Sequence, residues 1–217
     1  MDITYLGHSA FRIKTRLSSI VTDPYDSEMV GIKFPKVTAD IVTISHNHDD
    51  HNAASSVDEV KKIVSGPGEY EIAGVSIIGM PTFHDGEKGA TRGRNTIYVF
   101  EVDDFRLVHL GDLGHKLPDA LLEELGTVDI LMIPVGGVYT VGPTEASEIV
   151  RVIEPTITIP MHYFLKDLNQ SSFGTLSPVD DFLRNIGLPV ENLEKLSLKK
   201  TELTEEKKVV VDRKSVV

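Results

Sequence analysis

Residues 41–51 read IVTISHNHDDH, an apolar run that stops abruptly at a cluster of histidines and aspartates. Residues 41–44 are all β-branched, which is typical of a strand that is buried on both faces. Positions 46–51 then bring three imidazoles and two carboxylates into six residues. Such crowding beside a buried strand has a large electrostatic cost unless a cation is bound. The stretch therefore predicts a strand that ends at a metal-binding loop; the alternative is a polar loop that is simply solvated.

The spacing within this loop separates the candidate ligands into two sets. In an extended backbone His46 and His48 face the same way around Asn47, so they could bind one ion. Asp50 and His51 lie beyond a turn and could face a second ion.

Three further polar residues follow predicted strands elsewhere in the chain. His84 follows Thr82-Phe83, Asp112 follows an apolar run that ends at Leu110, and His162 follows residues 159–161. Singly, each is weak, since a lone histidine is usually structural and an aspartate after glycine is usually a turn residue. Together they favour one site, because functional residues of layered α/β proteins collect where strands end.

Short β-branched runs separated by turn residues predict a chain rich in strands. The predicted strands are residues 3–6, 10–14, 19–22, 41–44, 75–78, 96–102, 105–110, 129–135 and 156–159. Asp103-Asp104 predicts a tight hairpin, and residues 195–214 predict a terminal hairpin that contains strand 209–211. Amphipathic helices are predicted after Pro118, after Thr144, and from Pro178 to Gly187 with Ser177 as the cap. This order favours helices layered on sheets over a regular parallel βαβ series.

Composition excludes several classes of protein. The 33 acidic and 22 basic residues leave a net charge of −11, which opposes general adhesion to nucleic acids or anionic membranes. Cysteine is absent, so any metal must be held by histidine and carboxylate. The length and the 41% apolar content favour a single domain over residues 1–217. Residues 1–16 resemble neither a signal nor a transit peptide, and no apolar run approaches about twenty residues, so we expect a cytoplasmic protein.

The ligand pattern resembles that of the metallo-β-lactamase superfamily, and the resemblance covers nearly the entire chain. It consists of the run His46-x-His48-x-Asp50-His51, followed by a single histidine, a Gly-Asp pair and a late histidine. Residues 7–11, 66–70, 134–137 and 160–163 resemble the compact branch that contains L-ascorbate-6-phosphate lactonase and many zinc-dependent hydrolases.

This resemblance implies an α/β (α+β) protein, namely a four-layer αβ/βα sandwich with a dinuclear metal site at its rim. It implies that one metal is held by His46, His48 and His84, and the other by Asp50, His51 and His162. Asp112 would bridge the two metals. Such ligands suit two Zn²⁺ ions, with Mn²⁺ or Fe²⁺ as alternatives. The implied reaction is hydrolysis by a metal-bound hydroxide that Asp50 helps to orient.

Other polar residues are candidates for the surroundings of the metals. The candidate substrate contacts are His8 in the first turn, Arg92 and Arg94 in a glycine-rich loop, and Tyr139 after a Gly-Gly pair. The alternatives are that His8 supports a metal ligand and that the arginine loop is solvated and flexible. His109 is expected to hydrogen-bond beneath the rim, because it points away from Asp112 along an extended strand. His115 could reach the pocket or face solvent, and solvent is slightly favoured.

We expect a hydrolase whose substrate is a small, anionic ester, lactone or phosphoester. One alternative is a phosphodiesterase or nuclease on short substrates, although the chain has no basic stretch that could form a nucleic-acid clamp. Another is a non-catalytic metal-binding protein on the same fold, against which the complete ligand set argues. Relatives of this shape often assemble, which leaves a homo-oligomer open.

Overall fold

A computed structural model describes residues 1–212, and sixteen strands and five α-helices form most of this part of the chain. The strands are β1 (Asp2–Gly7), β2 (Ala10–Lys14), β3 (Ser19–Thr22), β4 (Val37–Thr38), β5 (Ile41–Ile44), β6 (Val57–Asp58), β7 (Lys62–Ser65), β8 (Gly68–Ile72), β9 (Val75–Phe83), β10 (Arg94–Val102), β11 (Phe105–His109), β12 (Ile130–Pro134), β13 (Ile157–Met161), β14 (Val190–Asn192), β15 (Leu196–Ser197) and β16 (Lys208–Val211). The helices are α1 (Ser27–Val30), α2 (Asp119–Leu125), α3 (Pro143–Ile153), α4 (Gln170–Phe173) and α5 (Val179–Ile186), with short 3-10 turns at Ala54–Ser56 and Lys200–Glu202.

Two large sheets form the centre of the fold. The first sheet has the strand order β15-β1-β2-β3-β5-β7, and the second has the order β14-β16-β13-β12-β11-β10-β9-β8. Strands β4 and β6 form a separate small sheet. The two large sheets share one apolar core, in which Phe11 and Ile41 of the first sheet cluster with Phe100, Ile130 and Met132 of the second. Burial of these side chains is the main force that holds the sheets together.

The outer faces of the sheets are covered by helices and loops. Because side chains alternate along a strand, Leu131 belongs to a different buried cluster from Ile130 and Met132. Ala146 of α3 and Phe182 of α5 are members of this outer cluster. On the first sheet Val42 joins the same cluster with Val30 of α1, so a one-turn helix and loops cover that side. The predicted α/β (α+β) class is confirmed, with two central sheets between outer layers.

Most predicted elements are present, with small shifts at their ends. The hairpin at Asp103-Asp104 is confirmed: both residues have positive φ, as a type I′ turn requires, and Val102 pairs with Phe105. Helix α3 begins at Pro143, so Thr144 lies inside its first turn and Gly142 is the cap. Helix α5 begins at Val179, so Pro178 and not Ser177 occupies the N-cap position, and it ends at Ile186 with Gly187 as the C-cap.

The predicted terminal hairpin is wrong. Leu196–Ser197 pairs with β1 in the first sheet, whereas Lys208–Val211 pairs with β13 and β14 in the second sheet, and both of those pairings are parallel. The predicted segment also extends to positions 213 and 214, which lie outside the described residues. Sequence patterns near the terminus predict a strand but not its distant partner, which is why a local hairpin was expected.

The direction of the strands explains how the site is assembled. In the second sheet β11, β12 and β13 are parallel, and β9 shares their direction because it and β11 are both antiparallel to β10. In the first sheet β1, β3 and β5 likewise share one direction. The carboxyl ends of these strands therefore lie at one edge of each sheet. Within residues 1–212 no helix has the length and apolar character needed to cross a membrane.

Candidate metal centre

One buried carboxylate lies at the centre of the histidine cluster. Asp112, which follows β11, is 1% exposed. Its Oδ2 lies 3.2 Å from Nε2 of His51, 3.3 Å from Nε2 of His84 and 3.3 Å from Nε2 of His162. Nε2 of His46 lies 4.0 Å away. Histidines that follow three different strands, β5, β9 and β13, thus converge on a single oxygen atom of Asp112.

Three imidazoles form one group with the geometry of a metal site. The ring of His46 lies 4.6 Å from that of His48 and 4.7 Å from that of His84, measured between centroids. Their candidate ligand atoms all lie within 4.8 Å of one another. His48 is exposed while the other two are buried, so this group has an open side.

A second group of four residues lies beside the first and is buried throughout. It contains His8, Asp50, His51 and His162, whose candidate ligand atoms again lie within 4.8 Å of one another. His46, His51 and Asp112 form a further such set, which connects the two groups. All seven residues expected to bind metal are therefore brought together, with His8 as an eighth member of the cluster.

The unsatisfied atoms of the cluster fit a bound cation. Nε2 of His46, His51 and His162 and Oδ1 of Asp112 are buried and make no hydrogen bond within the described residues. Buried polar atoms are normally paired, so these atoms require a partner. Imidazole and carboxylate donors without sulfur are suitable for zinc, manganese or iron.

The electrostatics of the cluster also favour positive charge. Burial alone would raise the pKa of Asp112, but His162 and His51 hold that pKa well below its usual value. Burial would lower the pKa of His51, whereas the carboxylates of Asp112 and Asp50 raise it well above the usual value. A divalent cation would supply the positive charge that these buried carboxylates attract. Burial, together with the neighbouring His51, lowers the pKa of His46 to about 3, which keeps that imidazole neutral and able to bind metal.

His8 contacts the metal-site carboxylate rather than the cavity. It occupies the turn between β1 and β2 in a left-handed conformation, with φ 53°, and its side chain is fully buried. Nε2 of His8 lies 3.0 Å from Oδ2 of Asp50, a distance that suits an N–H donated to the carboxylate. Its ring packs 4.2 Å from that of His162 and 4.9 Å from that of Phe173. Burial lowers the pKa of His8 to about 4, and the hydrogen bond to Asp50 only partly opposes this.

A buried carboxylate that the sequence did not predict holds two of the histidines in place. Asp23 follows β3, and its Oδ2 lies 2.9 Å from Nδ1 of His51. The same carboxylate accepts hydrogen bonds from the backbone N–H and the hydroxyl of Ser45, and that hydroxyl lies 2.9 Å from Nδ1 of His46. Carboxylates that orient metal-binding imidazoles commonly occupy such positions. Its position directly after a strand, like that of His84 and His162, is the signal that could have revealed it.

Asn95, also missed from the sequence, and Gly111 of the predicted Gly-Asp pair position Asp112. The side-chain amide of Asn95 donates to Oγ1 of Thr82 and to the carbonyl of Leu110, while its Oδ1 accepts the N–H of Asp112 at 3.0 Å. Gly111 has φ 55°, and a Cβ there would lie 2.3 Å from Oδ1 of Asn95. Only glycine fits this close approach, so the Gly-Asp pair has a structural reason.

A cavity of about 460 Å³ opens onto the cluster. Its lining residues are Met29, Asn47, His48, Asp49, Asp50, His84, Arg92, Asp112, Tyr139, Ser172 and Phe173. Two of the four candidate substrate contacts, Arg92 and Tyr139, are on this list, whereas His8 and Arg94 are not. Arg94 is exposed at the start of β10.

The two remaining histidines lie outside the cluster. The expectation for His109 is confirmed: Nε2 of this buried residue lies 2.9 Å from the carbonyl of Ser9. His115 is half-buried; its Nδ1 lies 2.7 Å from the carbonyl of Lys116, and its Nε2 accepts the N–H of Phe83. It therefore binds backbone groups instead of facing solvent fully.

Comparison with known proteins places this geometry in context. A protein-family model described as a beta-lactamase superfamily domain matches residues 2–162. A UPF0173 metal-dependent hydrolase from Methanopyrus kandleri is 30% identical over 230 residues, which cover 88% of this chain and 95% of that protein. A second such hydrolase, from Thermococcus onnurineus, is 30% identical over 191 residues, which cover 75% of this chain and 84% of that protein.

Solved structures show the same similarity. A candidate zinc-dependent hydrolase of the metallo-β-lactamase superfamily from Thermotoga maritima is 41% identical, with a TM-score of 0.81 over 97% of each chain. A metallo hydrolase from Ignicoccus hospitalis is 22% identical, with a TM-score of 0.64 over 86% of this chain and 90% of that one. At that level of identity the second protein shares the fold.

Proposed function

The chain belongs to the metallo-β-lactamase superfamily, and we propose that it is a metal-dependent hydrolase of small, anionic esters, lactones or phosphoesters. The observation that carries this proposal is the position of Asp112, whose Oδ2 is surrounded by imidazole nitrogens of His51, His84 and His162 within 3.3 Å. So many imidazole nitrogens around one buried carboxylate have no evident structural use without a cation.

The proposed ligand sets are those that the resemblance to the metallo-β-lactamase superfamily implies. His46, His48 and His84 would hold one ion, and Asp50, His51 and His162 would hold the other, with Asp112 shared between them. When bound, two divalent cations would act as Lewis acids and lower the pKa of a water molecule toward neutrality.

The residues of the chain have distinct roles in this proposal. Asp50 lines the cavity, so its carboxylate can accept a hydrogen bond from the attacking water and orient it. His8 acts as a positioning residue, because its Nε2 fixes the carboxylate of Asp50. Asp23 fixes the ring orientation of His51 through Nδ1, which leaves Nε2 directed at the metal site.

The local charge supports an anionic substrate even though the chain carries a net charge of −11. Two divalent ions carry more charge than the three carboxylates that line the cavity, Asp49, Asp50 and Asp112, and Arg92 adds a further positive charge, so the loaded cavity lining is positive. Charged groups within a cavity act at short range, whereas charges on the outer surface are screened by salt over about 8–10 Å.

Metal content and hydrolysis can be tested on the same preparation. Protein purified without added metal is analysed for zinc, manganese and iron by plasma mass spectrometry, then assayed with 4-nitrophenyl esters, lactones and bis(4-nitrophenyl) phosphate. We expect about two metal ions per chain and hydrolysis that a chelator abolishes and added metal restores.

Two results would contradict the proposal. One is a metal content near zero that zinc, manganese and iron all fail to restore. The other is full occupancy with no turnover of any substrate class, which would favour a non-catalytic metal-binding protein. Asp119→Ala, which lies in the first turn of helix α2 and outside the site, is the control for substitutions of the metal-site residues.

A further inference from the structure

Arg92 stands out among the described residues that line the cavity, because it is the only lysine or arginine of that part of the chain found there, while Asp49, Asp50 and Asp112 are acidic. Its Nη2 donates to the carbonyl of Val138 at 3.0 Å, and its guanidinium lies 5.6 Å from the ring centroid of Tyr139. Within residues 1–212 no carboxylate pairs with this guanidinium. A guanidinium has five N–H donors, so most of its hydrogen-bonding capacity is left for a ligand.

The loop that carries Arg92 is rigidly attached to the metal site. Asp85 directly follows His84, and its two carboxylate oxygens accept the backbone N–H groups of Glu87, Gly89, Thr91 and Arg92 at 2.7–3.0 Å. A loop whose backbone is tied by four such bonds keeps Arg92 at a set distance from His84. Preorganised cations lose less entropy when they bind an anion.

The partner of Arg92 in the facing loop is held in an unfavourable conformation. Val138 has φ 62°, a left-handed geometry that β-branched residues rarely adopt, and its side chain is 50% exposed. This conformation presents the Val138 carbonyl to Arg92. Strain of this kind is concentrated at functional sites, where the surrounding structure maintains it.

The remaining part of the cavity lining is apolar. It is formed by Tyr139, Phe173 and Met29. Met29, whose side chain carries a thioether, is 37% exposed. The hydroxyl of Tyr139 donates to the carbonyl of Ser172 at 2.7 Å, which fixes the ring against α4. Exposed methionine and aromatic side chains beside a polar site are suited to an apolar ligand group of variable shape.

We propose that the cavity binds a small ester that carries an apolar group and, apart from it, one anionic group, a carboxylate or a phosphate. Arg92 selects this anionic group. The inference rests on the proposed hydrolase function and names its substrate class. Met29, Tyr139 and Phe173 contact the apolar group, while the bond to be cleaved faces His48, His84 and Asp112. The volume of about 460 Å³ suits a small molecule. In the reaction the oxygen of one water bonds to the acyl carbon or phosphorus, the bond to the leaving oxygen breaks, and that oxygen takes up a proton.

Matched substrates and matched arginine variants test the proposal. Zinc-loaded wild type, Arg92→Ala, Arg92→Lys and Arg94→Ala are assayed with an anionic ester, mono-4-nitrophenyl glutarate, and a neutral one, 4-nitrophenyl butyrate. For Arg92→Ala we expect kcat/KM to fall about 10- to 100-fold more with the anionic ester than with the neutral one, because a charge-assisted pair is lost. Arg92→Lys keeps the charge without the bidentate fork and should lie between wild type and alanine. Arg94→Ala lies outside the cavity and should match wild type with both esters.

A binding measurement separates failure of this inference from failure of the proposed function. Benzoate and phenyl phosphate are titrated calorimetrically into each variant, which requires no turnover and distinguishes a carboxylate site from a phosphate site. We expect wild type and Arg94→Ala to bind at least one of the two anions about tenfold or more tightly than Arg92→Ala does. Thermal unfolding and metal content must be the same for all variants.

Three outcomes would overturn the inference. They are an equal loss of kcat/KM with both esters in Arg92→Ala, an equal effect of Arg94→Ala, and anion affinities that do not depend on Arg92. If no ester is hydrolysed by the loaded wild type while Arg92-dependent anion binding persists, the hydrolase proposal fails and the anion site remains.

Discussion

Replacement of His8 should weaken metal binding although His8 is not one of the expected ligands. Its Nε2 lies 3.0 Å from Oδ2 of Asp50, and both side chains are buried. Without this donor the carboxylate of Asp50 loses its fixed orientation. Loss of such an outer contact commonly lowers metal affinity about 10- to 100-fold. This corresponds to about 1.4–2.8 kcal/mol, because each tenfold change in affinity is worth about 1.4 kcal/mol.

The choice of substitution separates the hydrogen bond from packing. His8→Ala also removes a ring that packs against His162 and Phe173, and comparable buried truncations cost roughly 2–5 kcal/mol of stability. His8→Gln keeps an amide N–H near the position of Nε2, so it can donate to Asp50, but an amide is a poor metal ligand. We therefore expect His8→Gln to restore most of the affinity that His8→Ala loses.

The assay is a competition titration of metal-free protein with zinc in the presence of a chromophoric chelator. Wild type should bind two equivalents, and His8→Ala should weaken one of them by the factor above. His115→Gln is the matched control, because His115 is hydrogen-bonded to backbone and lies outside the cluster. Unchanged affinity in a folded His8→Ala protein would refute the positioning role. Equal loss in His8→Gln and His8→Ala would refute it as well, since it would indicate that the imidazole itself binds the metal.

Three further predictions concern the carboxylates and the pH dependence. Asp112→Ala should lose chelator-sensitive hydrolysis and bound metal while its circular dichroism spectrum is unchanged, because the shared ligand is removed; turnover equal to that of wild type would contradict this. Asp23→Asn should weaken zinc binding about 10- to 100-fold in the same titration, because the amide cannot replace both oxygens that accept hydrogen bonds from His51 and Ser45. In metal-free protein, burial lowers the pKa of His8 to about 4 and that of His46 to about 3, below the usual 6.5, so unfolding takes up protons. The free energy of unfolding of the metal-free protein, measured with urea, should therefore decrease as the pH falls from about 6.5 to 4, and a flat profile would contradict this. Over the same pH range the metal-loaded protein should release its metal.

The location of the candidate ligands could be predicted because it depends on local pattern. A β-branched run followed by a histidine or an aspartate marks a strand end, and this held for His46, His84, Asp112 and His162. Asp23 follows β3 in the same way but was missed. It is a single aspartate with no other candidate metal ligand near it in the sequence, so no motif marks it. Asn95 lies inside a strand, where no local pattern indicates that its amide will contact Asp112.

The sequence could not show which of the candidate substrate contacts reach the cavity. Arg92 and Arg94 are two residues apart in one loop, and both were equally plausible. The backbone hydrogen bonds from the loop to Asp85 and the contact of the Arg92 side chain with the Val138 carbonyl place Arg92 at the cavity, while Arg94 begins a strand with its side chain exposed. Met29 and Phe173 are separated by more than a hundred residues, so their shared position at the cavity also depends on tertiary packing.

The residue order by itself determined the layering of helices on sheets, the strands and the types of ligand, since hydrophobic periodicity, turn residues and donor chemistry are properties of short segments; the four-layer sandwich followed from the family resemblance. The tertiary structure decided which groups come into contact. It placed the edges of the two sheets side by side, brought His8 to Asp50, paired β16 with β13 and β14, and directed Arg92 toward the cavity. These features depend on strand pairing and side-chain packing between distant segments. Their free energies come from contacts that no short stretch of sequence contains.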